Sequence, residues 1–199
     1  ENYSKESIQE FEDLVQERGL NPEDILGAFH GQESKGNLPN YIYHTVFVDD
    51  IYQAIEEGQP SSQYVFTIGS DYFKEIAKMR AFFIAFETIN KTIPFILAET
   101  TLANKTTEQH YNNLLRTTTE SMSAIFGGCD ALMIRPYNQS FEEVTDFSIR
   151  LARNQHHILR EESFLEKVQD PSAGSYYIEA LTQSYLKFDR QECKFENIE

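Results

Sequence analysis

The chain has 199 residues, enough for one sizeable domain and short of the usual length for two. With 40% hydrophobic and 13% aromatic residues it is neither disordered nor collagen-like. Lys and Arg total 17 against 32 Asp and Glu, a formal charge of −15, which argues against nucleic acid and anionic membrane as partners. In chain order, Ile8, Phe11, Leu14 and Val15 follow helical spacing, with Gly19 as a C-cap. Asn21-Pro22-Glu23 then reads as the start of a shorter helix. Residues 31–40 and 56–63, rich in Gly, Pro, Ser and Gln, read as linkers, the first dividing an N-terminal helical arm (1–40) from the rest (41–199).

From Tyr64 the pattern becomes regular. Tyr64-Val65-Phe66-Thr67-Ile68 reads as a strand that Gly69-Ser70 ends, with Ser70 free to cap a helix. Tyr72, Ile76, Met79, Phe83 and Phe86 then form one apolar helical stripe. Residues 93–98 read as a second strand, with Pro94 near its start. A second helix follows, with Tyr111, Leu114, Leu115, Thr118, Met122, Ile125 and Phe126 on one face and Gly127-Gly128 as its stop. Asp130-Ala131-Leu132-Met133-Ile134 reads as a third strand, and Val144, Phe147, Leu151 and Ile158 mark the next helix. Lys167-Val168-Gln169 reads as a short fourth strand, before a last helix carrying Tyr177, Leu181, Tyr185 and Phe188. Such alternation implies parallel strands with crossover helices, an α/β fold whose sheet could be open or closed. No apolar run approaches the ~18 residues that span a bilayer, and the start resembles no signal peptide. The lack of an initiator Met suggests a piece of something longer. Cys129 and Cys193 match no metal or redox spacing, so a cytoplasmic or other reduced compartment is expected.

In α/β folds ligands meet the loops at the carboxyl ends of strands. Four stretches qualify: Gly69-Ser70-Asp71, residues 99–105, residues 135–140 and residues 170–175. Glu99, Thr100, Thr101, Asn104 and Lys105 form the densest polar cluster; loop polarity with helix capping is the plainer alternative to a ligand-facing loop. Arg135 could grip a carboxylate or phosphate, or pair with Asp130 or Glu99. Asn138 lies in the same loop. Asp170-Pro171-Ser172-Ala173-Gly174-Ser175 is a turn signal, without the Lys of a P-loop. Of the histidines, His156-His157 reads as mid-helix, His110 as a helix start, and His30 and His44 as outside the regular units; none ends a strand. No catalytic or metal-ligating constellation is visible in these residues alone.

Several strings together resemble the methylmalonyl-CoA mutase family. Phe73-Lys74-Glu75-Ile76-Ala77-Lys78-Met79-Arg80-Ala81 is similar to its F-x-E-I-A-K-x-R-A helix, and Tyr111-Asn112-Asn113-Leu114-Leu115-Arg116-Thr117-Thr118-Thr119-Glu120 to its Y-x-N-x-x-R-T-T-x-E helix. Gly127-Gly128 matches its helix-to-strand turn. Phe147-Ser148-Ile149-Arg150-Leu151-Ala152-Arg153-Asn154-Gln155 resembles F-S-x-R-I-A-R-N-x-Q, and Asp170-Pro171-Ser172-Ala173-Gly174-Ser175-Tyr176-Tyr177 resembles D-P-x-x-G-S-Y-Y.

The resemblance implies a (β/α)8 TIM-barrel-type fold, of which this chain supplies about the second half. It also implies adenosylcobalamin as cofactor of the complex and interconversion of methylmalonyl-CoA and succinyl-CoA. Departures from the pattern point to the family's small, non-catalytic subunit and to a heterodimer with a catalytic large subunit. Ala98 stands where catalytic members carry the His of R-x-H-x-Q-T-S-G, Glu99 brings negative charge toward an anionic substrate, and Ile134-Arg135-Pro136 replaces H-T-N. No D-x-H-x-x-G cobalamin signature occurs, and the helix expected before Tyr64 is missing. No catalytic residue is assigned to this chain, and no cofactor is expected to be held by it. The alternative is a self-sufficient small α/β enzyme acting on an acyl-CoA or other small anion through Glu99 and Arg135.

Overall fold

The computed structural model describes residues 13–14, 16–18, 27–29, 42–57 and 62–192. Residues 13, 14, 16 and 17 of the expected arm helix are helical. The rest of that helix, the helix expected at Asn21-Pro22-Glu23, residues 31–40 and Cys193 lie outside the described residues.

Five strands form one sheet in sequential order, all parallel. They are β1 (Gly27–Phe29), β2 (Ile42–Phe47), β3 (Ser62–Ile68), β4 (Phe95–Thr100) and β5 (Ala131–Met133). Helices α1 (Ile51–Glu57), α2 (Tyr72–Asn90) and α3 (Asn112–Gly127) fill the connections from β2 onward, followed by α4 (Asp146–His157) and α5 (Tyr176–Glu192). Sequential order with a helix between neighbours is the single-winding rule of a β/α barrel, and the chain forms part of such a TIM-barrel-type domain.

The alternation of side chains divides the sheet into two faces. Val46, Tyr64, Phe66, Ile68, Ile96 and Ala98 point toward the helices and share one core with Ile51 and Ile55 of α1, Met79, Phe82 and Phe86 of α2, and Ala124 of α3. Tyr64 and Phe66 meet Phe82 with ring centroids 4.9 and 5.1 Å apart, and full burial of each such ring is worth about 1.5–3 kcal/mol. Register places Phe47, Val65, Leu97 and Ala131 in one layer of the opposite, interior face, with Thr67, Glu99 and Met133 in the next layer toward the carboxyl ends.

Several expectations are corrected. β2 and α1 occupy residues read as irregular, so His44 lies within a strand and residues 56 and 57 close a helix rather than open a linker. Helix α1 ends at Glu57 and is only seven residues long; in the stretch 58–64, where the family's helix is missing, the described residues 62–64 are strand. Lys167-Val168-Gln169 adds no strand: Leu165–Lys167 is a 3-10 turn after the π-helical turn Ile158–Glu162. Val168 is extended but 61% exposed and pairs with no strand. His156 and His157 end the α-helical turns of α4, but the chain stays helical through the π-turn Ile158–Glu162, so both lie inside a helical run. In α2 the fully buried ring is Phe82, with Phe83 only half-buried, because this helix packs on the sheet and also on α3 and α5.

The largest departure is in α3. Its buried residues are Asn113, Thr117, Glu120, Ser121, Ser123, Ala124 and Gly127, while Leu115 is 69% exposed and Tyr111, just before the helix, 58%. The helix turns a polar and small-residue face inward; of the apolar stripe, Met122 and Ile125 pack against Ile134, Ala152 and Leu159, and Phe126 meets the Tyr72 ring edge-on at 6.4 Å. Burying that face lets α3 lie close to α2: a Cβ on Gly127 would stand 3.0 Å from the Met79 sulfur. Gly128, at φ +88°, ends the helix in the left-handed region that glycine enters without strain.

Candidate functional site

Three of the four loops named from the sequence meet at the carboxyl ends of β3, β4 and β5. Asn104 donates to Ser70 Oγ at 2.6 Å, which ties the β4 loop to the β3 loop. The backbone N–H of Arg135 donates to Thr100 Oγ1 at 2.9 Å, which ties β4 to the loop after β5. The fourth stretch, residues 170–175, is not at this rim because no strand precedes it. It is a turn on the outside, where Asp170 pairs with Arg80 of α2, and Arg80 also reaches Glu179 of α5 at 2.8 Å.

The interior mouth is set by Glu99. Its carboxylate faces the barrel side of β4, accepts from Thr67 Oγ1 at 3.3 Å and pairs with the Arg135 guanidinium at 2.6 Å. Arg135 takes the second of the two roles open to it, the internal partner. Thr100 is buried, its hydroxyl occupied by the Arg135 backbone. Ala98 lies wholly within the helix-side core, so a side chain at this position opens toward α2 and α3 and not toward the interior; Leu97 and Glu99 hold the inward positions of β4.

Behind the rim lies a second, fully enclosed polar cluster. Lys105 Nζ donates to both Glu120 oxygens, at 2.9 and 2.8 Å, and to Asn104 Oδ1 at 2.8 Å. The two side chains are 0% and 1% exposed. Asn104 Nδ2 completes the group by donating to Glu120 Oε1 at 2.6 Å. Burial pushes the Glu120 carboxyl above its ordinary range and holds the Lys105 ammonium below its own, with their mutual bonds opposing both shifts. Two turns before Glu120, Asn113 clasps the loop from both sides: it accepts from Thr106 N–H at 3.1 Å and donates to Thr106 O at 2.9 Å and Tyr137 O at 3.1 Å. Ser70 therefore caps no helix; the N-terminus of α2 is held instead by Glu75, which accepts from Gly69 N–H at 3.0 Å.

Asn138, the remaining candidate, is buried, donates to Glu143 O at 3.2 Å, and leaves Oδ1 without a partner. His110 packs on the rings of Tyr111 and Tyr137, at 4.3 and 5.8 Å between centroids. Glu120 and Asn113 were not singled out from sequence. The signal was present: Asn113, Thr117, Glu120, Ser121 and Ala124 recur at i, i+4, i+7, i+8 and i+11, a polar and small-residue helical stripe. Among the described residues, no group of three or more His, Cys, Asp or Glu is placed to hold a metal ion, and no helix is long and apolar enough to cross a membrane.

A singly wound β/α unit, cross-braced at the carboxyl ends of its strands, defines part of a TIM-barrel-type domain. The methylmalonyl-CoA mutase family model matches residues 48–199, and the chain belongs to that family. It is 44% identical over 139 residues to a methylmalonyl-CoA mutase small subunit of Porphyromonas gingivalis, covering 65% of this chain and 22% of that protein. It is 37% identical over 179 residues to a methylmalonyl-CoA mutase of Escherichia coli, covering 81% and 25%. Against a 2-hydroxyisobutanoyl-CoA mutase large subunit of Aquincola tertiaricarbonis it is 31% identical, covering 78% and 30%. The chain thus spans about a quarter of the length of the curated relatives it matches.

Proposed function

We propose that this chain is part of a non-catalytic, small-subunit-like component of an adenosylcobalamin-dependent methylmalonyl-CoA mutase, paired with a catalytic large subunit. That enzyme interconverts methylmalonyl-CoA and succinyl-CoA. The observation that carries this reading is the Glu99–Arg135 pair. These two side chains at the interior mouth neutralise each other, so the Arg135 guanidinium is not free to grip the carboxylate or phosphates of an anionic acyl-CoA. The printed names of relatives as small and large subunits support a two-chain enzyme. Residues 41–199 form the barrel portion on this reading, with 1–40 an arm that lends β1 to the sheet edge, in a cytoplasmic or other reduced compartment.

The described rim does not fit a corrin cobalt. Its histidine, His110, is packed among aromatic rings, Glu99 and Arg135 bind each other, Lys105 is bound to Glu120 and Asp71 to Lys74. We therefore assign the cofactor to the large subunit and derive no step through it here. Calorimetric titration of the purified chain with adenosylcobalamin and with methylmalonyl-CoA is expected to give no micromolar binding. Affinity capture from its native source is expected to bring down a larger, cobalamin-bearing chain. Micromolar binding of either compound by this chain alone would overturn the proposal. Turnover of an acyl-CoA by the isolated chain, abolished by Glu99→Ala, would establish the self-sufficient enzyme instead.

A further inference from the structure

A groove of about 910 Å³ opens at the amino ends of β4 and β5, the end of the sheet opposite the rim loops, and its volume lies in the range of small-molecule sites. Phe83 and Ile84 of α2 and Ile93, just before β4, line one side. Cys129 lies ahead of β5, and His156 and Leu165 line the other side. Ile84, Ile93 and Val168 are 38%, 74% and 61% exposed, so hydrocarbon along the groove faces water uncovered. Residues 164–170 form a strap along the His156 side, with left-handed φ of +51° at Phe164 and +45° at Asp170, values that side chains resist. Ion pairs pin this strap, Arg160 with Glu166 at 3.2 Å and Arg80 with Asp170. Strain held at both ends of a strap beside an open groove is the kind that collects where ligands are clamped.

The charges of the groove are already engaged. Arg80 bonds Asp170 and Glu179, Arg160 bonds Glu161 and Glu166, and Asp130 accepts from Ile96 N–H at 2.8 Å. A ligand anion therefore finds no free guanidinium here and meets a chain of net charge −15. Among the lining carboxylates of the described residues, Glu87 alone has no ion pair or side-chain hydrogen bond, and it is exposed, where a pair with a ligand cation is worth little. The groups left for a ligand are uncharged. Burial pushes the Cys129 thiol up to about 12 and holds the His156 imidazole below its ordinary 6.5, so both are neutral near neutral pH. His156 is half-buried and makes no hydrogen bond to any described residue. A neutral imidazole offers one donor and one acceptor, the complement of a hydroxyl.

We propose that this groove binds an uncharged, largely apolar molecule carrying a hydroxyl, its hydrocarbon against Phe83, Ile84 and Leu165 and its hydroxyl on the His156 imidazole. This goes beyond the subunit role above and does not depend on it. The test is titration of the 199-residue chain with 2-naphthol near neutral pH, where this phenol is uncharged, read by its fluorescence and by the His156 ring proton in NMR. Saturable binding is expected below about 1 mM, with the His156 resonance moving in step. Naphthalene, which lacks the hydroxyl, is expected to bind about three- to tenfold more weakly, and His156→Phe to bring the two probes level. Ile84→Trp and Val168→Trp fill the groove from exposed positions, with folding checked by circular dichroism, and each is expected to weaken 2-naphthol at least about tenfold. The charged analogues 2-naphthoate and 2-naphthylmethylammonium are expected to bind more weakly than 2-naphthol. Absence of saturable 2-naphthol binding overturns the proposal, as does a His156 ring that does not move. Tighter binding of either ion, or binding untouched by both tryptophan substitutions, overturns it equally.

Discussion

Replacing Lys105 by Met removes the ammonium that bonds both oxygens of Glu120, in a cluster where the two side chains are 0% and 1% exposed. Glu120 Oε2 then has no donor, and Oε1 keeps only Asn104 Nδ2 at 2.6 Å. A buried carboxylate left in that state costs about 3–5 kcal/mol. Part of this penalty is avoidable because burial already raises the Glu120 pKa, so proton uptake can neutralise the orphaned group. The loss on Lys105→Met should therefore be largest near neutrality and shrink as pH falls toward the Glu120 pKa. Replacing both members, Lys105→Met with Glu120→Leu, removes both desolvation penalties and keeps the volume. It leaves Asn104 Oδ1 without Lys105 and Asn104 Nδ2 without Glu120, and should cost about 1–3 kcal/mol. Urea denaturation of the wild type, the singles and the double, at neutral and mildly acidic pH, measures the cycle. Single and double losses that add within about 0.5 kcal/mol would refute the reasoning. So would a Lys105→Met penalty that does not change with pH.

Gly127→Ala should force α2 and α3 apart, since the new Cβ meets Met79 Sδ at 3.0 Å and Met79 Cβ at 3.1 Å; an overpacking cost of about 1–3 kcal/mol exceeds the ~1 kcal/mol helix-propensity gain, and the thermal midpoint should fall. For His156, burial, reinforced by the charge of His157, holds the pKa below its ordinary 6.5. The native state therefore binds this proton less readily than the unfolded chain, so the contribution is present above pH 6.5 and is lost as pH falls through the depressed value. His156→Gln should flatten that part of the urea-midpoint profile between about pH 7 and 5, and an unchanged slope would contradict it.

The regular middle of the chain was legible because its elements obey single physical rules. Tyr64 through Ile68 alternates between a helix-packed and an interior face, with every residue but Thr67 buried, so the run of apolar and β-branched side chains stands out as a strand. The α2 stripe was found for a related reason, although Phe82 escaped it because this helix buries more than one face. Helix α3 defeated the hydrophobic pattern. It spends its inward face on Asn113, Thr117, Glu120 and the small residues Ser121, Ser123, Ala124 and Gly127, and sheds Leu115 to solvent, because what it must reach is a loop of backbone amides and a lysine rather than a hydrocarbon surface. Lys167-Val168-Gln169 failed in the opposite direction: its β propensity is real, but no neighbouring strand is there to accept its hydrogen bonds. At the site, Glu99, Thr100, Asn104 and Arg135 were locatable because strand-end loops are where side chains converge. The Glu99–Arg135 pair is one of the two pairings the sequence left open for Arg135, whereas Glu120, the partner of Asn104 and Lys105, was missed because it lies on the next helix, 15–16 residues on.

The strings that resembled the mutase family prove to be joints of the scaffold. Arg80 fastens α2 to the residue 170 turn and to α5. Asn113 and Arg116 hold Thr106, and Glu120 anchors Lys105. Gly127 admits Met79, Ser148 closes the capping box with Thr145, and Gln155 donates to Leu114 O and Thr118 Oγ1 of α3 at 2.8 and 2.7 Å. Each of these duties is independent of any reaction at the interior. A chain can lose every reacting group and still retain this set, because losing a joint leaves a buried charge or amide unpaired and costs stability directly. The likeness in these strings therefore speaks for the architecture, whereas the inward positions of β4 and the loop after β5 speak for chemistry. There, Glu99 and Arg135 answer each other. The separation also says where to look for a gain of activity: Leu97, Glu99 and Arg135 can change without disturbing a joint, while Ala98 cannot, since any larger side chain there must displace the core shared by β4, α2 and α3.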